Sequence, residues 1–463
     1  MTGTDVFGDS WAGRRVTVVG LGRSGLAAAR LLCRVGARVS VTEARDTPEL
    51  RATVEALLPL GLRDAELGGH SDRLTAGADM LVVSPGVPEH EGPIASAESR
   101  GLPILSEVEL AFRFCPSPVI AVTGTNGKST VVTLISEVAR ASGRRAVACG
   151  NLGNPFSSAL SRLTPETLVI VEISSFQLLR CDRFRPKIGV WLNVGVNHLD
   201  RHGDHAAYVA AKARLFQRQT PEDWAVLGGA DPAIVAVGER LQARRVWFGG
   251  NRSNPPALRL APETQRALSL NWQAVLQTCR LLGLPDPLTW QVMRSFRGLE
   301  HRLEQAGVVR GIHFVNDSKS TTPDSTLYAL SQTPGRVVVI IGGRDKGMAF
   351  GPLFKRLHDD RVRGVVLMGE SRARLRPLLN GSPRVREAAT LEEACRNLDC
   401  RPKLVHDCVF KGSVSGCECK TTAQVCASDM PCPPGKVCTP FNFDSCFDQW
   451  CYGAETMVCW PPN

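Results

Sequence analysis

Seven consecutive residues, Gly124-Thr125-Asn126-Gly127-Lys128-Ser129-Thr130, have the composition of a phosphate cradle. They follow an apolar run, PVIAVTG (118–124), and open a helical pattern, STVVTLISEVARASG. At such a junction, backbone N–H groups and the helix N-terminus together receive anions. Lys128 reaches toward the β- and γ-phosphates, and the Ser129 hydroxyl is placed for Mg²⁺. The strict motif has a glycine where this chain has Val122, so the loop is a shortened variant. An ordinary glycine-rich turn is the plainer alternative, but the strand–loop–helix context argues for phosphate.

A nucleotide site needs ligands for its metal, and these belong at the C-terminal ends of neighbouring strands. Glu172 ends the apolar run in VIVEISSFQ, and His198 follows another in LNVGVNHLDRHGD. A carboxylate among apolar strand residues is costly unless paired or bound to a cation. Read singly, Glu172 also fits a capped structural carboxylate, and His198 a hydrogen-bonded loop histidine. A second glycine turn, Gly20-Leu21-Gly22-Arg23-Ser24-Gly25, lies between a strand and a helix, with Glu43 ending the next strand. That spacing suits a ribose or base contact. Farther on, HRLE (301–304) and NDSKSTTPDST (316–326) gather His301, Arg302, Asn316, Asp317 and Lys319 in polar turns. Gly342-Gly343-Arg344-Asp345-Lys346-Gly347 follows a strand. Arginine and lysine there can grip a carboxylate or phosphate, though solvated loops look the same in sequence.

The elements that must position these residues alternate. Apolar strands are read at 15–20, 38–45, 78–87, 118–124, 167–174, 187–195, 311–320, 336–343 and 363–369, with helical patterns between them, including 206–218. That alternation predicts α/β architecture, with parallel sheets and right-handed crossovers. The boundaries predict four parts: residues 1–115, 116–297, 298–399 and a tail, 400–463. At roughly 100–200 residues per domain, 463 residues suit about three domains. Hydrophobic residues make up 43% and charged residues 22%, which excludes bulk disorder. No apolar run of about 18 residues is present, so no membrane partner is expected. The first residues lack the apolar core of a signal peptide, so a cytoplasmic protein is expected. The net charge of +10 is scattered, which suits anionic small substrates better than nucleic acid. The cysteines break the uniformity: six of 16 precede residue 400, and ten follow from Cys400 to Cys459. The tail therefore reads as a disulfide-type module joined to a reducing-compartment enzyme.

Taken in order, the segments GLGRSG, VVSPGV, VTGTNGKST, GNLGNP, VEISSFQL, LNVGVNHLDRH, YVAAKARLF, GLEHRLE, VNDSKSTTPDST and IGGRDKG resemble the Mur ligase family, most closely its glutamate-adding branch. The resemblance spans about residues 14–400. It implies three doubly wound α/β domains: a Rossmann-like UDP-binding domain, a central ATP-binding domain and a Rossmann-like glutamate-binding domain. It implies a monomer that uses ATP and Mg²⁺ to join D-glutamate to UDP-N-acetylmuramoyl-L-alanine through an acyl phosphate. Carried over position by position, Lys128, His198, Lys212 and Asp317 are the catalytic set. Residues Gly124, Thr125, Asn126, Gly127, Lys128, Ser129, Thr130, Asn271, Arg302 and Asp317 bind ATP. Ser129, Glu172, His198 and Lys212, the last as a carbamate, hold Mg²⁺. Gly22, Arg23, Ser24, Glu43, Arg45, Ser84 and Gly86 match the UDP pocket; Asn151 matches a substrate contact; Lys319, Thr321 and Lys346 match positions near the incoming glutamate.

Two departures from the family pattern set further expectations. Its His-Asn-x-x-Asn stretch near the adenine is reduced here to Asn271 within RALSLNWQAVLQ. Its final strand, serine-rich loop and helix are not recognisable after LEEACRNL, where the cysteine-rich tail begins. The third domain is therefore expected to be truncated, with residues 400–463 packing poorly and glutamate binding weak. A ligase for another amino acid, or a catalytically impaired protein that binds the UDP substrate and nucleotide, is the alternative reading.

Overall fold

The structure, a computed structural model, describes residues 3–88, 92–195, 199–250, 254, 269–309, 311–320, 323–343, 350–379, 385–396 and the strand 456–460. It divides into two compact units, Met1–Phe296 and Arg297–Asn463. Among the described residues no helix is long and apolar enough to cross a membrane.

The first unit holds two parallel sheets. Strands β1 (Arg15–Val19), β2 (Arg38–Glu43), β3 (Leu62–Leu67), β4 (Met80–Val83) and β5 (Ile104–Ser106) lie in the order β3-β2-β1-β4-β5. Every pairing among them is parallel. Strand β4 is buried along its whole length and β1 after its first residue, so both read as unbroken apolar runs. The strand order reverses between β1 and β4, which leaves a crevice at their C-terminal ends.

The second sheet contains β6 (Val119–Thr123), β7 (Ala146–Gly150), β8 (Leu168–Glu172), β9 (Ile188–Trp191), β10 (Trp224–Gly228) and β11 (Arg244–Phe248). The order is β11-β10-β9-β6-β8-β7, again all parallel. The chain lays β8 and β7 on one side of β6 and then crosses to β9 on the other. The switch point thus falls at the end of β6, where residues 124–127 lead into the helix Lys128–Ala141.

A short helix, Glu107–Arg113, ties the two sheets together through buried carboxylates. Glu109 accepts hydrogen bonds from the backbone N–H groups of Asp182 (3.1 Å), Arg183 (3.1 Å) and Phe184 (3.0 Å), and from Arg113 Nε (2.8 Å). Glu107 accepts one from the Ser157 N–H at 2.5 Å.

The second unit is built on a mixed sheet. Its strands are β12 (Glu304–Val309), β13 (Ile312–Asn316), β14 (Val337–Ile341), β15 (Val362–Leu367), β16 (Val385–Glu387) and β17 (Thr456–Trp460), in the order β12-β13-β17-β14-β15-β16. Strands β14, β15 and β16 are parallel, whereas β12–β13 is an antiparallel pair. Strand β17 runs antiparallel to both β13 and β14 and fills the place between them. This corrects the expectation that the tail supplies no strand. The segment TMVCW carries β-branched and aromatic residues and no charge, a composition that suits a sheet interior.

Candidate functional site

The loop after β6 is shaped by its neighbours. Gly127 takes a left-handed φ of +84°, and a Cβ there would lie 2.4 Å from Asn271 Oδ1, so only glycine fits under that amide. Asn271, on the helix Leu270–Leu281, is thereby placed against Gly127 of this loop. The loop backbone is pinned by Asn193, which sequence reasoning did not single out. Its Oδ1 accepts from the N–H groups of Thr125 (3.1 Å) and Asn126 (2.9 Å), and its Nδ2 donates to the Asn126 carbonyl (3.1 Å). Thr125 is further held by the Tyr208 hydroxyl at 3.2 Å and by the Gly195 N–H at 2.9 Å. The only sequence signal for Asn193 was a short amide side chain just past an apolar strand. The remaining loop groups, Ser129 and Thr130, stand in the first helical turn, Ser129 buried and Thr130 half-buried.

Two lysines converge on one carbonyl. Lys128 Nζ donates to the carbonyls of Gly124 and Thr125, each at 2.9 Å, and Lys212 Nζ donates to the same Gly124 carbonyl at 3.0 Å. Lys212 comes from the helix His205–Ala213 and is only 2% exposed, with its Nζ 4.6 Å from the Tyr208 ring centroid. Burial, and then the positive charge of Lys128, push its amine well below the ordinary lysine range, against the opposing pull of Glu172. Glu172, at the end of β8, is 2% exposed. One carboxylate oxygen accepts from Asn151 Nδ2 at 3.0 Å; the other, Oε2, is buried without a hydrogen-bond partner. Such an oxygen beside a phosphate loop fits a hard divalent cation. Among the described residues no three His, Cys, Asp or Glu side chains gather around one point. His198 lies outside the described residues.

The crevice of the first sheet uses its three glycines differently. Gly20 has φ +84°, and a Cβ at Gly25 would meet the Gly20 carbonyl oxygen at 1.9 Å, which fixes the close approach of helix to strand. At Gly22, the N-cap of the helix Arg23–Arg34, a Cβ would meet nothing within 4 Å; the space it faces is open for a ligand. Glu43 and Ser84 serve the loop itself. Glu43 accepts from the Leu21 N–H at 2.8 Å and from Arg45 Nε at 3.1 Å, and Ser84 Oγ donates to the Gly20 carbonyl at 2.8 Å. Burial works against the Glu43 carboxylate, but the Leu21 amide and Arg45 outweigh it and hold its pKa below the ordinary value. Arg23, Arg45 and Gly86 are exposed around the crevice, and Ser24 is half-buried.

In the second unit the two polar turns are knitted together. His301 and Leu303, neither a glycine, both have positive φ (63° and 47°). They are held there because Asp317 accepts from the Leu303 N–H at 3.0 Å, the Glu304 carboxylate accepts from the His301 N–H at 2.7 Å, and Asn316 Nδ2 lies 2.8 Å from His301 Nδ1. Asp317 is buried, which raises its pKa against Ser320, the Leu303 amide and the nearby Arg302 charge. Lys319 is exposed beside this knot, its N–H donating to the His301 carbonyl at 3.1 Å. Thr321 and Lys346 lie outside the described residues.

Comparison with known proteins matches the same segments. Residues 14–106 fit the family description "Mur ligase MurD-like, N-terminal domain", and residues 122–280 fit "Mur ligase middle domain". A UDP-N-acetylmuramoylalanine–D-glutamate ligase of Desulfosudis oleivorans is 37% identical over 404 residues, which covers 83% of this chain and 88% of the relative. The enzyme of the same name from Anaeromyxobacter dehalogenans is 40% identical over 390 residues, 77% of this chain and 84% of the relative. Among solved structures, the MurF ligase of Thermotoga maritima in complex with ADP shares 16% identity and a TM-score of 0.52, covering 85% of this chain and 90% of that one. MurF of Acinetobacter baumannii has the same TM-score, 0.52, over 82% of this chain and 86% of that one. At these identities the structural likeness concerns the fold.

Proposed function

The chain belongs to the Mur ligase family, and from that premise we propose that it is the ATP-dependent ligase that joins D-glutamate to UDP-N-acetylmuramoyl-L-alanine, an early step of peptidoglycan precursor synthesis. The observation that carries this reading is the convergence of Lys128 and Lys212 on the Gly124 carbonyl, next to a buried Glu172 with one unpartnered oxygen.

A carboxylate is a poor acyl donor, so the alanyl carboxylate of the UDP substrate first attacks the γ-phosphorus of ATP, releasing ADP and forming an acyl phosphate. The attack brings two anions together. Lys128 offsets that repulsion by exchanging its two loop carbonyls for phosphate oxygens, as the N-terminal amides of helix 128–141 receive the remaining charge. The neutral amine of glutamate then attacks the acyl carbon; the tetrahedral intermediate breaks its C–O bond to phosphate, which leaves carrying the proton shed by the amine nitrogen, and an amide remains. Asn271, which packs against Gly127, is read as a nucleotide contact, and the family resemblance adds Arg302 and Asp317. Lys319, Thr321 and Lys346 receive the incoming glutamate. The crevice of the first sheet, from Gly20 to Arg23 with Arg45 and Gly86, holds the UDP group, and Asn151 faces the muramoyl end.

Mg²⁺ fits this site: Glu172 and Ser129 would hold one ion, His198 and a carbamylated Lys212 a second, and the ions supply charge neutralisation on the phosphates. Lys212 suits carbamylation because its amine, buried and next to Lys128, favours the neutral, nucleophilic form. The protein is read as a monomer in the cytoplasm, where nucleotide-linked substrates are available. The cysteine-rich tail favours a second reading, with amino-acid choice or turnover altered at the second unit. One measurement separates the two: phosphate release with the UDP substrate and ATP, assayed across D-glutamate, L-glutamate and other amino acids. Release that requires D-glutamate supports the ligase; release with another amino acid, or none, supports the second reading.

A further inference from the structure

One arginine of the second sheet grips the ligand crevice of the first. Arg201, in the helix Leu199–His202, donates from Nη1 to the Pro85 carbonyl at 2.9 Å and from Nη2 to the Val87 carbonyl at 2.8 Å. The Pro85–Val87 turn is itself locked to the glycine loop: Val87 N–H donates to the Ser84 carbonyl at 3.1 Å, and Ser84 Oγ to the Gly20 carbonyl at 2.8 Å. The guanidinium carbon sits 3.9 Å from the centroid of the Phe176 ring. Phe176 also stacks with His202, centroids 4.9 Å apart and planes at 5°, and His202 Nε2 is 2.9 Å from Ser175 Oγ. Ser175 and Phe176 open the helix that begins three residues after Glu172.

We propose that Arg201 is a positioning residue that couples the crevice holding the UDP substrate to the phosphate and cation site. The inference rests on the functional reading above for the identity of the two ligands. The sheets are also joined by Glu107 and Glu109, so Arg201 is not their sole clamp. Arg201 joins the Pro85–Val87 turn of the crevice to the helix that follows Glu172. Its planar fork spans two carbonyls of one turn while its π face rests on Phe176, a combination lysine cannot reproduce. A ligand that settles the Pro85–Val87 turn therefore settles Phe176 and the strand end at Glu172, and the reverse holds by linkage.

The test is titration calorimetry on the full chain. UDP-N-acetylmuramoyl-L-alanine is titrated with and without a non-hydrolysable ATP analogue and Mg²⁺, and the analogue with and without the UDP substrate. The wild type is expected to show each ligand tightening the other by about 5-fold or more. In Arg201→Met, which keeps the apolar stem over Phe176 but lacks the donors, both factors should fall to about 1, with the analogue alone binding as in wild type. Arg201→Lys should keep only part of the coupling. Phe176→Leu gives an independent reading should Arg201→Met fold poorly, and it should lower the coupling in the same direction. A wild type that binds neither ligand overturns the functional reading and the coupling with it. Binding of both ligands with coupling unchanged in Arg201→Met, or absent from wild type, overturns the role of Arg201 alone.

Discussion

Lys212 is the residue whose chemistry depends most on where the fold puts it. In sequence it is one lysine in YVAAKARLF, on a helix face that looks solvated; in the structure it is buried beside a second lysine. Replacement by alanine removes the group read as an anionic carbamate and is expected to lower turnover on the order of 10²-fold or more, the scale of a lost electrostatic stabiliser. Added formate or acetate should restore part of that loss by occupying the same anionic position. Full activity with an unmodified amine in a carbon-dioxide-replete crystal would sink the carbamate. Asn193 makes a different prediction. It bonds the loop backbone at three points and touches no reacting atom, so Asn193→Ala should loosen the phosphate cradle. At about 1 kcal/mol per lost hydrogen bond, KM for ATP should rise roughly 10-fold or more, with the affinity for the UDP substrate unchanged. An equal weakening of both ligands would mark Asn193 as a general packing residue.

The helix Glu107–Arg113 shows how an element can carry a pH dependence. Glu107 is 1% exposed, accepts the Ser157 amide on one oxygen, and leaves Oε2 without a well-formed hydrogen bond. Burial pushes its pKa from 4.5 to about 7, against the Ser157 bond, and the buried Cys149 thiol lies within its field. Between those two values the folded chain holds a proton that the unfolded chain has released. Stability from this group is therefore present at low pH, declines from about pH 4.5 to about 7, and is flat above. Glu107→Gln keeps an uncharged side chain of the same shape. It should raise the melting temperature of the first unit at pH 8 and leave it nearly unchanged at pH 5. Parallel wild-type and mutant curves across that range would show that Glu107 does not titrate in the interface. None of this is legible in SEVELAFRF, a segment the sequence does not mark out. The burial of Glu107 and Glu109 follows from a second sheet packing on that turn, a long-range event with no local signature. By contrast β1, β4, β6, β8 and β14 were legible because strands covered on both faces are continuous apolar runs. Strands β3 (LRDAEL) and β12 (EQAGVV) were not, because they lie at the sheet edges, where polar residues are tolerated.

For the whole molecule, the two glycine turns were readable as strand–turn–helix junctions because such a turn is a local backbone property, set by a few consecutive residues. The centre of the second unit was not, because it pairs residues more than a hundred positions apart. Strand β13 ends at Asn316, directly before the Asp317 knot, and its other neighbour is the antiparallel β12. Among the described residues β17 connects it to β14 on the inner side: Phe314 pairs with Cys459, which in turn pairs with Val338. A chain ending at residue 455 would leave β13 and β14 with facing unpaired edges in the middle of a sheet. Such edges are aggregation-prone and cannot hold the 301–304 and 316–320 turns in register. The expected outcome is loss of amide formation, faster hydrogen exchange in β13 and β14, and a tendency to aggregate. The first unit contains the crevice, the phosphate loop, Glu172 and Lys212 within Met1–Phe296. Its affinity for the UDP substrate should therefore stay within about 2-fold of the full chain, whereas the ATP analogue, read as also contacting Arg302 and Asp317, should bind more weakly. Calorimetry alongside exchange mass spectrometry reads both halves at once. If the shortened chain kept full turnover, β17 would be dispensable and the glutamate end of the reaction would be organised without it. If it lost the UDP substrate as well, the two units would be coupled through more than the chain that joins them.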